Sequence, residues 1–101
     1  MRMRGVKLDP EGYEVMALDR VVSLKGKRVI EIGCGDGRLT RALAERAREV
    51  VAIDPNPRDI RAARQSTPKH LKRRVRFQVA TAEDLPFRDG EFAVAVFSWS
   101  L

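Results

Sequence analysis

Apolar residues along this chain fall into short continuous runs, and between the runs they recur every three or four positions. The runs at 29–32, 50–53, 75–80 and 92–97 read as four strands. The second, Val50-Val51-Ala52-Ile53, is apolar throughout, as expected of a parallel strand covered on both faces. Upstream, Asp9-Pro10-Glu11 has the form of a helix start, with an N-cap acid and proline at the first helical position. Tyr13, Met16, Ala17, Val21 and Leu24 follow at helical spacing, which predicts a helix over 9–25 stopped by Gly26 and preceded by a mobile arm at 1–8. A second helix begins at Asp36, with Leu39, Ala42, Leu43 and Ala47 inward. Pro55-Asn56-Pro57 bars an immediate helix after the second strand; a third helix then runs to about residue 72, with Ile60, Ala63 and Leu71 inward. Pro68 should end or kink it near Thr67. A helical turn at 83–85 and a chain turn at Arg88-Asp89-Gly90 precede the fourth strand. This alternation implies an α/β fold, a Rossmann-like doubly wound parallel sheet with right-handed crossovers.

The junction between the first strand and the second helix carries the chemistry: Glu31-Ile32-Gly33-Cys34-Gly35-Asp36-Gly37. Glycines at alternate positions let a backbone turn sharply and pass close to a ligand. Asp54 stands 21 positions after Gly33, directly after the second apolar run, well placed for the two hydroxyls of a nucleoside ribose. A dinucleotide loop would be G-x-G-x-x-G with a pyrophosphate on the next helix. Here the third glycine comes one residue early, Arg38 takes its place, and Asp36 would repel a phosphate. S-adenosylmethionine has no phosphate and carries a sulfonium and an amino group, which Glu31 can meet.

These residues resemble the class I S-adenosylmethionine-dependent methyltransferases, most of all the small-molecule branch that includes quinone-biosynthesis enzymes. Three segments carry the resemblance: Glu31 to Gly37, Val51-Ala52-Ile53-Asp54, and Ala82-Glu83-Asp84-Leu85-Pro86-Phe87-Arg88-Asp89-Gly90-Glu91-Phe92. The resemblance implies strand order 3-2-1-4 and S-adenosylmethionine as cofactor. Gly33, Cys34, Gly35 and Gly37 would hold the methionine part with Glu31. Asp54, with Pro55 beside it, would hold the ribose, and Thr81, Ala82 and Glu83 would close over the adenine. Ser98 would lie at the pocket edge. Two positions depart from the family pattern: Thr81 replaces an aspartate that receives the adenine amino group, and Ala93 replaces an aspartate at the fourth strand. The signature of amino-group methyltransferases expected after that strand is replaced by Ser98-Trp99-Ser100-Leu101, which turns the reading away from adenine methylation.

Resembling proteins continue with three more strands. The expectation is therefore the partial cofactor-binding domain of a methyltransferase for a small-molecule acceptor, spanning residues 1–101 and truncated after the fourth strand. That strand would stand at an open edge, so the chain alone should be inactive. It should self-associate or need a missing C-terminal half. The competing reading is a non-catalytic interaction module on the same scaffold, and a less favoured one is an RNA methyltransferase or RNA-binding module, supported by charge alone.

Composition narrows these readings. No apolar run nears the ~20 residues that cross a bilayer, so no membrane partner is expected. A single cysteine excludes an intramolecular disulfide and fits a cytoplasmic setting. The net charge of +6 is densest at Lys69-His70-Leu71-Lys72-Arg73-Arg74-Val75-Arg76, which reads as a solvated surface, and nucleic acid is not expected as a partner. No cluster has metal-ligand spacing. Cys34 reads as a small loop filler and His70 as a surface residue. Asp54 either holds ribose or caps the next turn; Glu31 is either a cofactor ligand or a loop brace; Asp84 is either a helix acid or an adenine contact. Trp99 either lines the substrate pocket or belongs to the core. Tyr13 could sit on a lid, and no catalytic residue is assigned.

Overall fold

The computed structural model describes residues 5–8, 13–84, 87–88 and 90–98. Five strands, β1 (Gly5–Leu8), β2 (Arg28–Ile32), β3 (Glu49–Asp54), β4 (Val75–Val79) and β5 (Val94–Ser98), form a parallel sheet in the order β1-β5-β2-β3-β4. Three helices lie between them: α1 (Tyr13–Val22), α2 (Arg38–Ala44) and α3 (Pro57–Ser66). The four runs of the sequence are β2 to β5, and they lie side by side in the expected order 3-2-1-4. Their register, from Arg28↔Glu49 to Ile32↔Ile53 and from Val29↔Val94 to Ile32↔Phe97, brings all their carboxyl ends to one edge.

Alternation along the strands sorts the core into two faces. Val29, Val50, Val94 and Val96 pack with Leu39 and Leu43 of α2 and Leu18 of α1. Ile30, Val51, Ile53 and Ala95 face the other way, against Phe92. There Phe87 meets Phe92 edge-on, with ring centroids 5.1 Å apart. Each fully buried leucine or isoleucine stabilises the fold by roughly 1.5–3 kcal/mol, so both faces contribute to holding the central strands.

Two expectations are corrected. Residues 5–8, read as part of a mobile arm, form β1, which pairs with β5 from Gly5↔Ala95 to Leu8↔Ser98. The fourth predicted strand therefore has a partner on each side, and its edge is not open for self-association. The buried stripe of the first helix is also shifted. Met16 and Val21 are exposed, at 47% and 82%, while Leu18 and Val22 face the core. The helix stops at Val22, because Ser23 turns left-handed (φ 44) and the Asp19 carboxylate accepts the Leu24 N–H at 2.7 Å. Leu24 is buried beyond that break, so it misleads any phase extrapolated through it. The Asp9-Pro10-Glu11 start lies outside the described residues.

Helix α3 opens at Pro57, with the Asn56 side chain accepting the Arg58 N–H at 2.9 Å. It ends at Thr67-Pro68 as the proline requires, and a single 3-10 turn, Lys69–Leu71, carries Leu71 into the core. A second 3-10 turn, Ala82–Asp84, follows β4. Leu85, Asp89 and Trp99 lie outside the described residues.

Candidate functional site at the carboxyl edge of the sheet

The strand ends gather the residues singled out from the sequence at one edge. Gly33, Cys34, Gly35 and Gly37 follow β2, Asp54 ends β3 with Pro55 after it, Thr81, Ala82 and Glu83 follow β4, and Ser98 ends β5. The glycine loop is held to β3 by its own backbone, since the Gly33 and Cys34 N–H groups donate to the Ile53 carbonyl at 2.9 and 3.0 Å.

Gly37 has a packing reason to be glycine. Its φ is +87, and a Cβ there would sit 3.0 Å from Ala63 Cβ, where α2 starts against α3. A side chain would both strain the backbone and push the helices apart.

Asp54 joins the loop to the turn beyond β3. One carboxylate oxygen accepts the Gly35 N–H at 3.0 Å and the other accepts the Asn56 N–H at 2.9 Å. The turn cap foreseen as one alternative is thus made. Each oxygen keeps a further lone pair, so capping and ligand binding are compatible.

Glu31 is fully buried at the end of the central strand. Thr40 of α2 donates its hydroxyl to one carboxylate oxygen and Ser98 of β5 donates to the other. Burial, the largest influence, pushes its pKa up to about 7 from the ordinary 4.5; the two hydroxyls oppose the rise and the nearby Asp54 charge adds to it. Glu31 thus braces β2, α2 and β5 at the loop, and carries a proton poised near neutrality. Sequence reasoning does not single out Thr40. Its only signal is a hydroxyl on an otherwise apolar helical face, nine residues after Glu31.

Cys34 packs with Ala52 and Ile60. Burial first, then the charges of Glu31 and Asp54, raise the pKa of its thiol, so it has no nucleophilic character at neutral pH. Thr81 Oγ1 lies 3.4 Å from Asp84 Oδ2, a weak contact that closes the turn after β4. Asp84 thus serves that turn, whose Asp84 N–H also donates to the Thr81 carbonyl at 3.2 Å.

Ala93 is elsewhere. It precedes β5 and donates its N–H to the Arg28 carbonyl at 3.0 Å, at the amino ends of the strands. In a parallel sheet that is the edge opposite the glycine loop, so its departure from the family pattern cannot alter a cofactor contact directly. His70 also lies on that side, with Nε2 2.7 Å from Glu45 Oε1 on the surface, a carboxylate partner not anticipated among its cationic neighbours. An open groove of about 670 Å³, lined by residues including Asp19, Arg46, Arg48 and Arg74, is at the amino edge too, away from the loop.

The carboxyl edge has a charge character that selects its ligand. Its connections at 33–37, 55–56 and 80–84 contain Asp36, Glu83 and Asp84 and no lysine or arginine. Cationic groups suit such an edge, and a pyrophosphate does not.

The fold and this edge define a Rossmann-like domain for a nucleoside cofactor. The chain belongs to the family described as Methyltransferase domain, whose model matches residues 29–101. It is 37% identical over 75 residues to a magnesium-protoporphyrin O-methyltransferase of Rhodobacter capsulatus, covering 74% of this chain and 34% of that protein. It is 38% identical over 73 residues to a ubiquinone biosynthesis O-methyltransferase of Azorhizobium caulinodans, covering 72% of this chain and 28% of that protein. A solved phosphoethanolamine N-methyltransferase of Haemonchus contortus, in complex with phosphoethanolamine and S-adenosylhomocysteine, superposes with a TM-score of 0.75 at 25% identity, over 90% of this chain and 19% of that one. The chain spans about a third of the length of the curated relatives it matches. S-adenosylmethionine is the cofactor these comparisons support, and the phosphate-averse charge of the edge fits it.

Proposed function

We propose that this chain is the S-adenosylmethionine-binding part of a methyltransferase that acts on a small-molecule acceptor. The observation that carries the reading is the joining of Asp54 to the glycine loop, beside buried Glu31, at an edge whose connections hold no cation. The names of both O-methyltransferase relatives, which concern a porphyrin and a quinone, support a small-molecule acceptor.

Bound S-adenosylmethionine supplies a methyl group on a positively charged sulfur. The chain's own residues bind and orient. The backbone of Gly33 to Gly35 borders the methionine part, the spare lone pairs of Asp54 receive ribose hydroxyls, and the turn after Thr81 borders the base. Ser98 and Thr40 fix the Glu31 carboxyl group at the end of β2, where the loop begins. Holding donor and acceptor in line is the main contribution such a scaffold makes to methyl transfer.

Calorimetric titration tests this directly. The folded chain should bind S-adenosylhomocysteine and bind NAD far more weakly. Asp54→Ala should weaken the first by about 1.5–3 kcal/mol, the range for a charge-assisted hydrogen bond. Asp54→Asn retains an acceptor oxygen for the Gly35 N–H and separates loss of charge from loss of the brace. A folded chain that binds neither would favour the interaction module, and equal affinity for NAD would overturn the choice of cofactor.

A further inference from the structure

We propose that the outer edge of the sheet, formed by β4, the turn before it and the exposed side of α3, docks single-stranded nucleic acid. This rests on a surface distinct from the cofactor edge and stands or falls independently of the methyltransferase reading. The segment from Ile60 to Ala82 holds seven of the 20 lysines and arginines and none of the 14 carboxylates. The rest of the chain is thus close to neutral, and essentially the whole net charge of +6 is carried by this one segment. A basic composition spread evenly over a surface would not segregate in this way.

The geometry shows that this charge is available. All seven cations are exposed, and none is paired with a carboxylate among the described residues. Of the carboxylates near it, Glu45 is engaged with His70, and Asp59, in the first turn of α3, is half-buried with its charge felt at Cys34 on the loop side. Strand β4 is the last strand of the sheet on this side. One cation, Arg64, donates to the Phe77 carbonyl at 3.0 Å, which blunts the strand against pairing with another chain. Arg74 donates to the Ala44 carbonyl at 3.3 Å beside the amino-edge groove, and the remaining five are more than blunting the edge needs. Beside β4 an open groove of about 380 Å³ is lined by Arg64, Thr67, Lys72, Val75, Arg76 and the half-buried ring of Phe77.

A cationic groove along an edge, with an aromatic side chain in its lining, suits a flexible phosphate backbone. Five of the seven cations are arginines, whose planar guanidinium forks match phosphate oxygens. A lipid surface fits less well: among the described residues from 60 to 82, Val79 is the one exposed large apolar side chain, too little to enter a bilayer. The carboxyl edge, by contrast, carries carboxylates and would repel the same polyanion, which fixes the docking side.

The test is fluorescence anisotropy with a labelled oligouridine RNA of about 20 nucleotides, titrated with the chain at about 50 and about 200 mM KCl. With about four phosphate contacts, affinity should fall about 50-fold between the two salts, and the triple variant Lys72→Gln, Arg73→Gln, Arg76→Gln should retain only about a 3-fold dependence. The charge-preserving pair Arg73→Lys, Arg76→Lys should keep the parent's salt slope. A matched triple outside residues 60–82, Arg20→Gln, Lys25→Gln, Lys27→Gln, should bind nearly as the parent does. Equal weakening by both glutamine triples would assign the affinity to net charge and overturn the proposal. So would absence of binding at the lower salt, or binding to phosphatidylserine vesicles in preference to the RNA.

Discussion

Replacing Glu31 with glutamine should change how stability depends on pH, because this carboxyl group is both buried and near the midpoint of its titration. In the folded chain its pKa is raised to about 7, against an ordinary value of 4.5. Between those values the folded state holds the proton more tightly than the unfolded state, so folding stability falls as pH rises through this window. Below it the group is protonated in both states and imposes no penalty. Above it the group is ionised in both, and the full cost of burying the charge is felt. A displacement of about two and a half units at 1.36 kcal/mol each corresponds to about 3 kcal/mol. Glutamine is nearly isosteric and does not titrate. Its oxygen can accept from Thr40 and its amide can donate to the Ser98 hydroxyl oxygen, so the brace survives with one bond reversed. Urea denaturation followed by circular dichroism, on parent and variant at intervals from about pH 4 to about pH 8.5, isolates the group, since every other carboxylate is common to both. Stability of the variant relative to the parent should rise by about 3 kcal/mol across that range, most steeply between about pH 5 and about pH 7. A difference that stays flat with pH, or that moves towards the parent, would refute the assignment of the shift to burial.

Gly37→Ala should destabilise the chain by roughly 2–4 kcal/mol, combining a left-handed residue with a Cβ contact at 3.0 Å to Ala63; denaturant melts measure it, and a loss under about 0.5 kcal/mol would mean the loop relaxes freely. Thr81→Asp should tighten S-adenosylhomocysteine binding by restoring a charged acceptor for the adenine amino group, and should do so more strongly when paired with Asp84→Asn. The reason is that Thr81 Oγ1 lies 3.4 Å from Asp84 Oδ2, where two carboxylates would repel. Titration of the single and double variants decides it, with weaker binding by the doubly substituted chain as the adverse result.

The parts of this molecule that are legible in the sequence are those whose cause is local. The strands at 29–32 and 50–53 announce themselves by continuous apolar runs, and Asn56-Pro57 and Thr67-Pro68 mark the ends of α3 by their own backbone chemistry. The glycine spacing locates the loop, and a carboxylate after a buried strand locates Asp54. What stays hidden depends on pairings across the chain. β1 is four residues long, and its partner β5 lies 90 positions away, so nothing in Gly5-Val6-Lys7-Leu8 separates a strand from an arm. Glu31 is visible as chemistry, but its role as a brace depends on Thr40 and on Ser98, 67 positions distant. Ala93 reads as a site position because it lies near one in the chain, whereas the parallel register sends it to the opposite edge. The same register separates the charges. The turns at the amino ends, at 23–27, 45–48 and 67–74, hold eight lysines and arginines and one carboxylate, Glu45, while the stretches 33–37, 55–56 and 80–84 at the carboxyl ends hold Asp36, Glu83 and Asp84 and no cation. A net charge of +6 read along the chain suggests a uniformly basic protein. Folded, it becomes two edges of opposite character, and the charge of a ligand decides which of them it meets.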